Sequence, residues 1–175
     1  VIGTGTALDS ARFRHELAKK FKVDVRNVHG YIVGEHGDTQ IPLWSATHIA
    51  GMNVVDYGNL HGNMFTEEDK EAIKENVKKA GATIIKNKGA TYYAIGITVS
   101  TIVETLLKHQ NTIRTVSTVI EGQYGIEDVA ISLPTIINSN GAKNIIQFNI
   151  TPEEERLLRE SAQAVKAVLA EVNNI

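Results

Sequence analysis

The sequence predicts an α+β fold, a mostly antiparallel sheet packed with long helices, and three observations carry that expectation. Segments of helical and strand character are grouped rather than alternating, which argues against a regular βαβ series. Apolar residues recur at helical spacing after Thr66 and again after Thr151. Short β-rich runs at 114–120, 128–131 and 144–150 are punctuated by Gly122, Gly125, Pro134 and a turn at 138–141.

Taken in order, Val1 and Ile2 read as a strand already under way, so the chain is expected to begin inside a longer polypeptide. Gly3 and Gly5 make a turn, and Asp9 or Ser10 can cap a helix over 10–20 in which Phe13, Leu17 and Phe21 recur every four positions. A strand over 28–33 ends at Gly34, and Gly37-Asp38 turns the chain into an extended run at 40–44. His36 therefore lies in a loop between two extended segments. Thr66 caps a long helix with an acidic first turn and a stripe of Ile73, Val77, Ala80 and Ile84, interrupted at Lys88-Gly89. A second helix over 91–108 aligns Ile95, Val99, Ile102 and Leu106. After the three β-rich runs, Thr151 and Glu154 form a capping box with Pro152 at the first helical position, and Leu158, Val165, Val168 and Val172 continue an apolar face.

With 175 residues and 42% hydrophobic content, the chain is sized for one core, so residues 1–175 are read as a single domain. Lys and Arg total 18 against 20 Asp and Glu, without a basic block, which removes the footprint of a nucleic-acid binder and favours a small-molecule partner. The absence of Cys excludes disulfides, thiolate nucleophiles and Cys-based metal sites. There is no apolar run of about 18 residues and no basic-then-apolar leader, so no membrane partner is expected and the expected location is cytoplasmic.

Three groups of residues could carry chemistry. Gly3-Thr4-Gly5 could cradle a pyrophosphate, but Leu8 stands where a third glycine is needed, and tight-turn geometry is the better reading. Asp9 and Arg12, three apart, share a helix face and can aim a carboxylate and a guanidinium into one cleft. The competing reading is a dipole-complementing acid and an arginine paired with Glu16 on a solvated face. In Gly34-Glu35-His36-Gly37-Asp38, an imidazole is exposed by flanking glycines, and a carboxylate placed beside it would orient the ring and favour its charged form. His29, Glu35, His36 and Asp38 have no fixed ligand spacing and no HExxH occurs, so no metal is expected. Trp44 and the Tyr92-Tyr93 pair read as packing residues.

The string from Gly5 through Asp9, Arg12 and Arg14, followed by Gly34-Glu35-His36-Gly37-Asp38 with 24 positions from Arg12 to His36, resembles the C-terminal half of bacterial L-lactate dehydrogenases. The resemblance continues through Lys88-Gly89-Ala90-Thr91-Tyr92-Tyr93 and Gly122-Gln123-Tyr124-Gly125 and covers essentially the whole chain. It implies that His36 exchanges the proton at the carbonyl of pyruvate or the hydroxyl of lactate, that Asp9 orients it, and that Arg12 grips the substrate carboxylate. It further implies that Thr91 lines the substrate pocket and that Ile95 packs near the nicotinamide of NAD, whose Rossmann domain would be N-terminal to this chain. Arg14 and His29 match positions that bind fructose 1,6-bisphosphate in activated enzymes, and a homotetramer is implied for the full-length protein. The residue that separates pyruvate from oxaloacetate would lie in the missing half. A malate or other 2-hydroxyacid dehydrogenase, or a fragment serving only oligomerisation and effector binding, remain alternatives, although Glu35 before His36 resembles the lactate enzymes. The chain alone is expected to be inactive, because it holds no hydride donor.

Overall fold

The computed structural model describes residues 1–60, 62 and 64–173. Helix α1 (Ala7–Phe21) starts earlier than the apolar period indicates. The reason is that Thr6, not Asp9 or Ser10, stands at its start, fixed by its amide on Ser132 Oγ at 3.0 Å and its hydroxyl on the Ile32 carbonyl at 2.6 Å. Asp9 and Ser10 are thereby carried inside the helix, with side chains free to reach other elements.

The strand expected over 28–33 is split into β1 (Val28–His29) and β2 (Ile32–Val33). Between them Gly30 lies so close to α1 that an added Cβ would meet the Phe13 ring at 2.8 Å. β2 pairs antiparallel with β3 (Ile41–Pro42), while β1, β4 (His48–Ile49) and β5 (Met52–Asn53) form a small sheet in the order β1-β4-β5. α2 (Val54–Leu60) follows. β4, β5 and α2 were not read from the sequence, because elements this short display too little of a period.

α3 (Glu67–Lys88) begins with the capping box of Thr66, its partner being Asp69, and stops at Gly89, whose φ of 84° is a left-handed cap. α4 (Tyr93–Leu107) buries Ile102 and Thr105, while Ile97, Val99, Val103 and Leu107 stay exposed. Tyr92 and Tyr93 are not core residues: both are exposed and lie under the Lys88 ammonium.

The main sheet is antiparallel, in the order β6 (Thr112–Glu121), β7 (Glu127–Asn138), β8 (Gly141–Ile145). β7 runs straight through Pro134, where the sequence suggested an end. The Pro134 carbonyl accepts from Ile146 N, so its missing N–H faces the β8 side, just past the ladder that begins at Thr135↔Ile145, and the β6–β7 ladder loses nothing. α5 (Pro152–Asn173) opens with the Thr151–Glu154 box.

Three buried clusters form among the described residues, the smallest being Ile102 of α4 with Val116 of β6 and Ile137 of β7. Phe13, Leu17, Phe21, Val28, Ile32, Ile73 and Val77 join α1, β1, β2 and α3. Val33, Ile41, Leu43, Ile131, Leu133 and Leu158 join the β2–β3 pair to the main sheet and α5. Neighbouring Ile32 and Val33 point to opposite faces of β2 and enter different clusters, so this strand is fixed from both sides. Gly34, which follows, exchanges two backbone bonds of 2.9 Å with Ser132 of β7. The residues that come next therefore leave from a rigid base. No helix among the described residues is long and apolar enough to cross a membrane.

Candidate active site

The loop from Gly34 to Thr39 projects toward α1. The two are bolted together by Ser10, whose Oγ accepts from Ile32 N at 2.9 Å and lies 2.8 Å from Thr115 Oγ1 of β6. Because Asp9 precedes Ser10, the same contact presents the Asp9 carboxylate to the loop. His36 Nδ1 lies 2.6 Å from Asp9 Oδ2, and Arg12 donates to Asp9 Oδ1 at 3.3 Å.

Asp9 is 2% exposed, whereas the His36 side chain is 62% exposed. A buried carboxylate must be paired, and here each oxygen has a cationic or polar partner. The hydrogen bond to Asp9 holds the His36 pKa above the ordinary histidine value. Partial burial and the nearby Arg12 cation oppose that rise, and the negative charges of Asp9 and Glu35 add to it. With Nδ1–H directed at Asp9, Nε2 is the nitrogen open to a ligand. Arg12 makes one hydrogen bond among the described residues, through a single terminal nitrogen, which leaves most of its planar fork available.

Asp9, Arg12 and His36 line one cavity of 430 Å³ together with Leu8, Lys78, Ile85, Thr91 and Ile95. The structure thus brings together all five residues singled out for catalysis, substrate and cofactor. The pairing of Arg12 with Glu16 does not form; Glu16 instead accepts from Asn76 of α3 at 3.1 Å. The Gly3-Thr4-Gly5 turn is unsuited to a pyrophosphate, since an added Cβ at Gly5 would lie 2.4 Å from Ser132 Oγ and 2.6 Å from Ser117 N. It is packed on the sheet. Among the described residues, no group of three His, Asp or Glu side chains could hold a metal ion.

Arg14, two residues after Arg12, leaves α1 in another direction and donates to the Gly30 carbonyl at 3.2 Å, beside exposed His29. Its pKa is lowered by burial and by the positive charge of Arg114. Arg114 Nε is itself buried without a hydrogen-bond partner among the described residues. Sequence reasoning missed Arg114, which comes from β6, 100 positions further along the chain than Arg14. It also missed Ser161 of α5, whose hydroxyl accepts from Glu35 N at 2.8 Å, and Thr39, whose hydroxyl donates to Glu35 Oε2 at 2.5 Å.

A family model described as the lactate/malate dehydrogenase, alpha/beta C-terminal domain matches residues 6–175. An L-lactate dehydrogenase of Thermoanaerobacter sp. (strain X514) is 46% identical over 173 residues, which are 99% of this chain and 56% of that protein. A solved L-lactate dehydrogenase from Clostridium thermocellum superposes with a TM-score of 0.87 at 65% identity, covering 98% of this chain and 56% of that one. The ligand-bound minor L-lactate dehydrogenase of Enterococcus mundtii gives a TM-score of 0.93 at 41% identity, covering 98% of this chain and 55% of that one. The chain thus spans just over half the length of these relatives.

Proposed function

Since the chain belongs to the lactate/malate dehydrogenase family, as its alpha/beta C-terminal domain, we propose that it supplies the substrate-binding and proton-transfer half of an NAD-dependent L-lactate dehydrogenase. The observation that carries the reading is the contact of His36 with buried Asp9 beside an Arg12 that keeps most of its donors free, all in one cavity.

In this reading Arg12 takes the carboxylate of a 2-oxo acid through paired donors, fixing its direction as well as neutralising its charge. The His36 imidazolium gives its Nε2 proton to the carbonyl oxygen as that oxygen becomes negative, and the ring is left neutral. In the reverse direction neutral Nε2 takes the hydroxyl proton. Asp9 holds the ring angle and stabilises its charged form. The residues present fit the nicotinamide end of the dinucleotide, since Ile95 gives the cavity an apolar wall, while the Gly3-Thr4-Gly5 turn at the start of α1 is packed shut. When bound, the nicotinamide supplies or accepts the hydride, and the rest of NAD would be held by an N-terminal Rossmann domain outside this sequence.

The deciding assay follows NADH absorbance in the full-length enzyme with pyruvate and with oxaloacetate. Preference for pyruvate, lost in His36→Asn, is the expected result. Preference for oxaloacetate moves the assignment to malate, and an unaffected variant removes His36 from the chemistry.

A second reading concerns control. Arg14, joined by Arg114 and adjacent to His29, has no carboxylate ion-pair partner among the described residues, which suits a phosphorylated effector such as fructose 1,6-bisphosphate at a subunit interface of a homotetramer. Activation by that sugar bisphosphate, abolished in Arg14→Gln, would support it. A bisphosphate without effect on rate would discard it.

A further inference from the structure

The loop that carries His36 is closed by a hydrogen-bonded ring whose proton directions follow from the groups involved. Glu35 N can only donate, and it reaches Ser161 Oγ at 2.8 Å. The Glu35 carboxylate can only accept, and it takes the Thr39 hydroxyl at 2.5 Å and the Thr39 amide at 3.3 Å. The single hydroxyl proton of Thr39 is therefore committed, so the 2.9 Å contact between Thr39 Oγ1 and Ser161 Oγ is donated by Ser161. The ring runs from Glu35 N–H to Ser161, to Thr39, and back to the Glu35 carboxylate. Each hydroxyl both donates and accepts, which strengthens its neighbours.

Ser161 is fully buried in α5, and the loop has no slack around it. An added Cβ at Gly34 would lie 2.6 Å from Ser161 Oγ, and one at Gly37 would lie 2.5 Å from Glu35 Oε1. His36 is the residue between Glu35 and Gly37, and most of its side chain is exposed. Its ring is thus held from two sides, by Asp9 of α1 and by a backbone that Ser161 and Thr39 tie to α5.

We infer that Ser161 and Thr39 are positioning residues that hold the His36 ring on Asp9 through the closed Glu35 turn. The consequence matters for catalysis only if His36 moves the proton, as proposed above, but the geometry can be tested without turnover. The charged groups facing His36 are Asp9 and Arg12 of α1, Glu35 and Asp38 of its own loop, and Lys78 of α3, which pairs with Asp38 at 3.1 Å. Ser161 bonds none of these charged side chains, whereas Thr39 also donates to the Glu35 carboxylate, so the titration change in Ser161→Ala is the one that reports geometry alone.

The test is an NMR pH titration of the His36 ring in this chain and in Thr39→Val, Thr39→Ser and Ser161→Ala, with melting curves to show that each folds. Thr39→Val and Ser161→Ala should lower the His36 midpoint toward the ordinary histidine value, because the contact with Asp9 is no longer enforced. Thr39→Ser keeps the hydroxyl and should keep the midpoint. Exchange of the Glu35 amide proton should speed up about tenfold in Ser161→Ala. Unchanged midpoints in Thr39→Val and Ser161→Ala would overturn the inference, as would an equal fall in Thr39→Ser. Loss of turnover in His36→Asn speaks to the proposed reaction and leaves this result untouched.

Discussion

A single carboxylate organises the site. Asp9 is buried, and its two oxygens separate two jobs, one holding a ring in place and the other steadying a cation whose remaining donors stay free. Because the Asp9 bond raises the His36 pKa, the imidazolium persists to higher pH than in a free histidine. If the proposed function holds, pyruvate reduction by the full-length enzyme should therefore fall as pH rises through that raised value, and lactate oxidation should rise over the same interval; initial rates in both directions across pH check this. The stability sign agrees: a raised folded pKa contributes stability that is present below the unfolded histidine value and is lost as pH rises through the folded one. His36→Asn should lower kcat about 10²–10⁴-fold in the full-length enzyme. Arg12→Lys keeps the charge but not the planar fork, and should reduce kcat/KM for pyruvate about 10- to 100-fold, measured at saturating NADH. Gly34, at φ 88° with Ser161 Oγ and Ile41 Cδ1 where a Cβ would go, predicts that Gly34→Ala costs about 1–3 kcal/mol in urea unfolding.

At the level of elements, α3 and α5 were readable because their caps and periods are local, whereas the start of α1 was misplaced and α2 was missed. The Thr66 cap and the Thr151 box, the second box of the pair that the structure forms, are each written within four residues. What the second box also does was not readable. Glu154, 6% exposed, accepts from Thr151 N and Oγ1 and, across the fold, from Ser45 N at 3.0 Å and Ser45 Oγ at 2.5 Å. It ties the start of α5 to the segment after β3. Glu154→Gln offers one acceptor oxygen in place of two and puts an amide donor against donors, so a loss of about 1–3 kcal/mol is expected from thermal or urea denaturation. The same limit explains the strands. β7 was cut short at Pro134 because the sequence does not say which side of a strand a missing N–H will face, and β4 and β5 were not seen because they are too short to carry a pattern.

For the molecule as a whole, the proposed function makes the cavity around His36 one wall of a reaction site, with most of the dinucleotide held outside this chain. The 175-residue chain should show no steady pyruvate-dependent oxidation of NADH, and a sustained absorbance decline with purified chain would refute this. By itself the sequence determined the α+β grouping, the caps of the long helices, and a resemblance that singled out Asp9, Arg12 and His36, because each rests on short-range spacing or on a distinctive string. Apolar periodicity likewise marked α4, but not that Ile97 and Leu107 would remain exposed while Ile102 is covered. Only the tertiary structure decided that Ser10 would bolt α1 to β2, that Ser161 would close the His36 loop from 125 positions away, and that the charge of Arg114 would act on Arg14. Such contacts depend on two elements that pack independently of their separation along the chain, and a burial pattern read along one segment says which face is apolar without saying what will meet it.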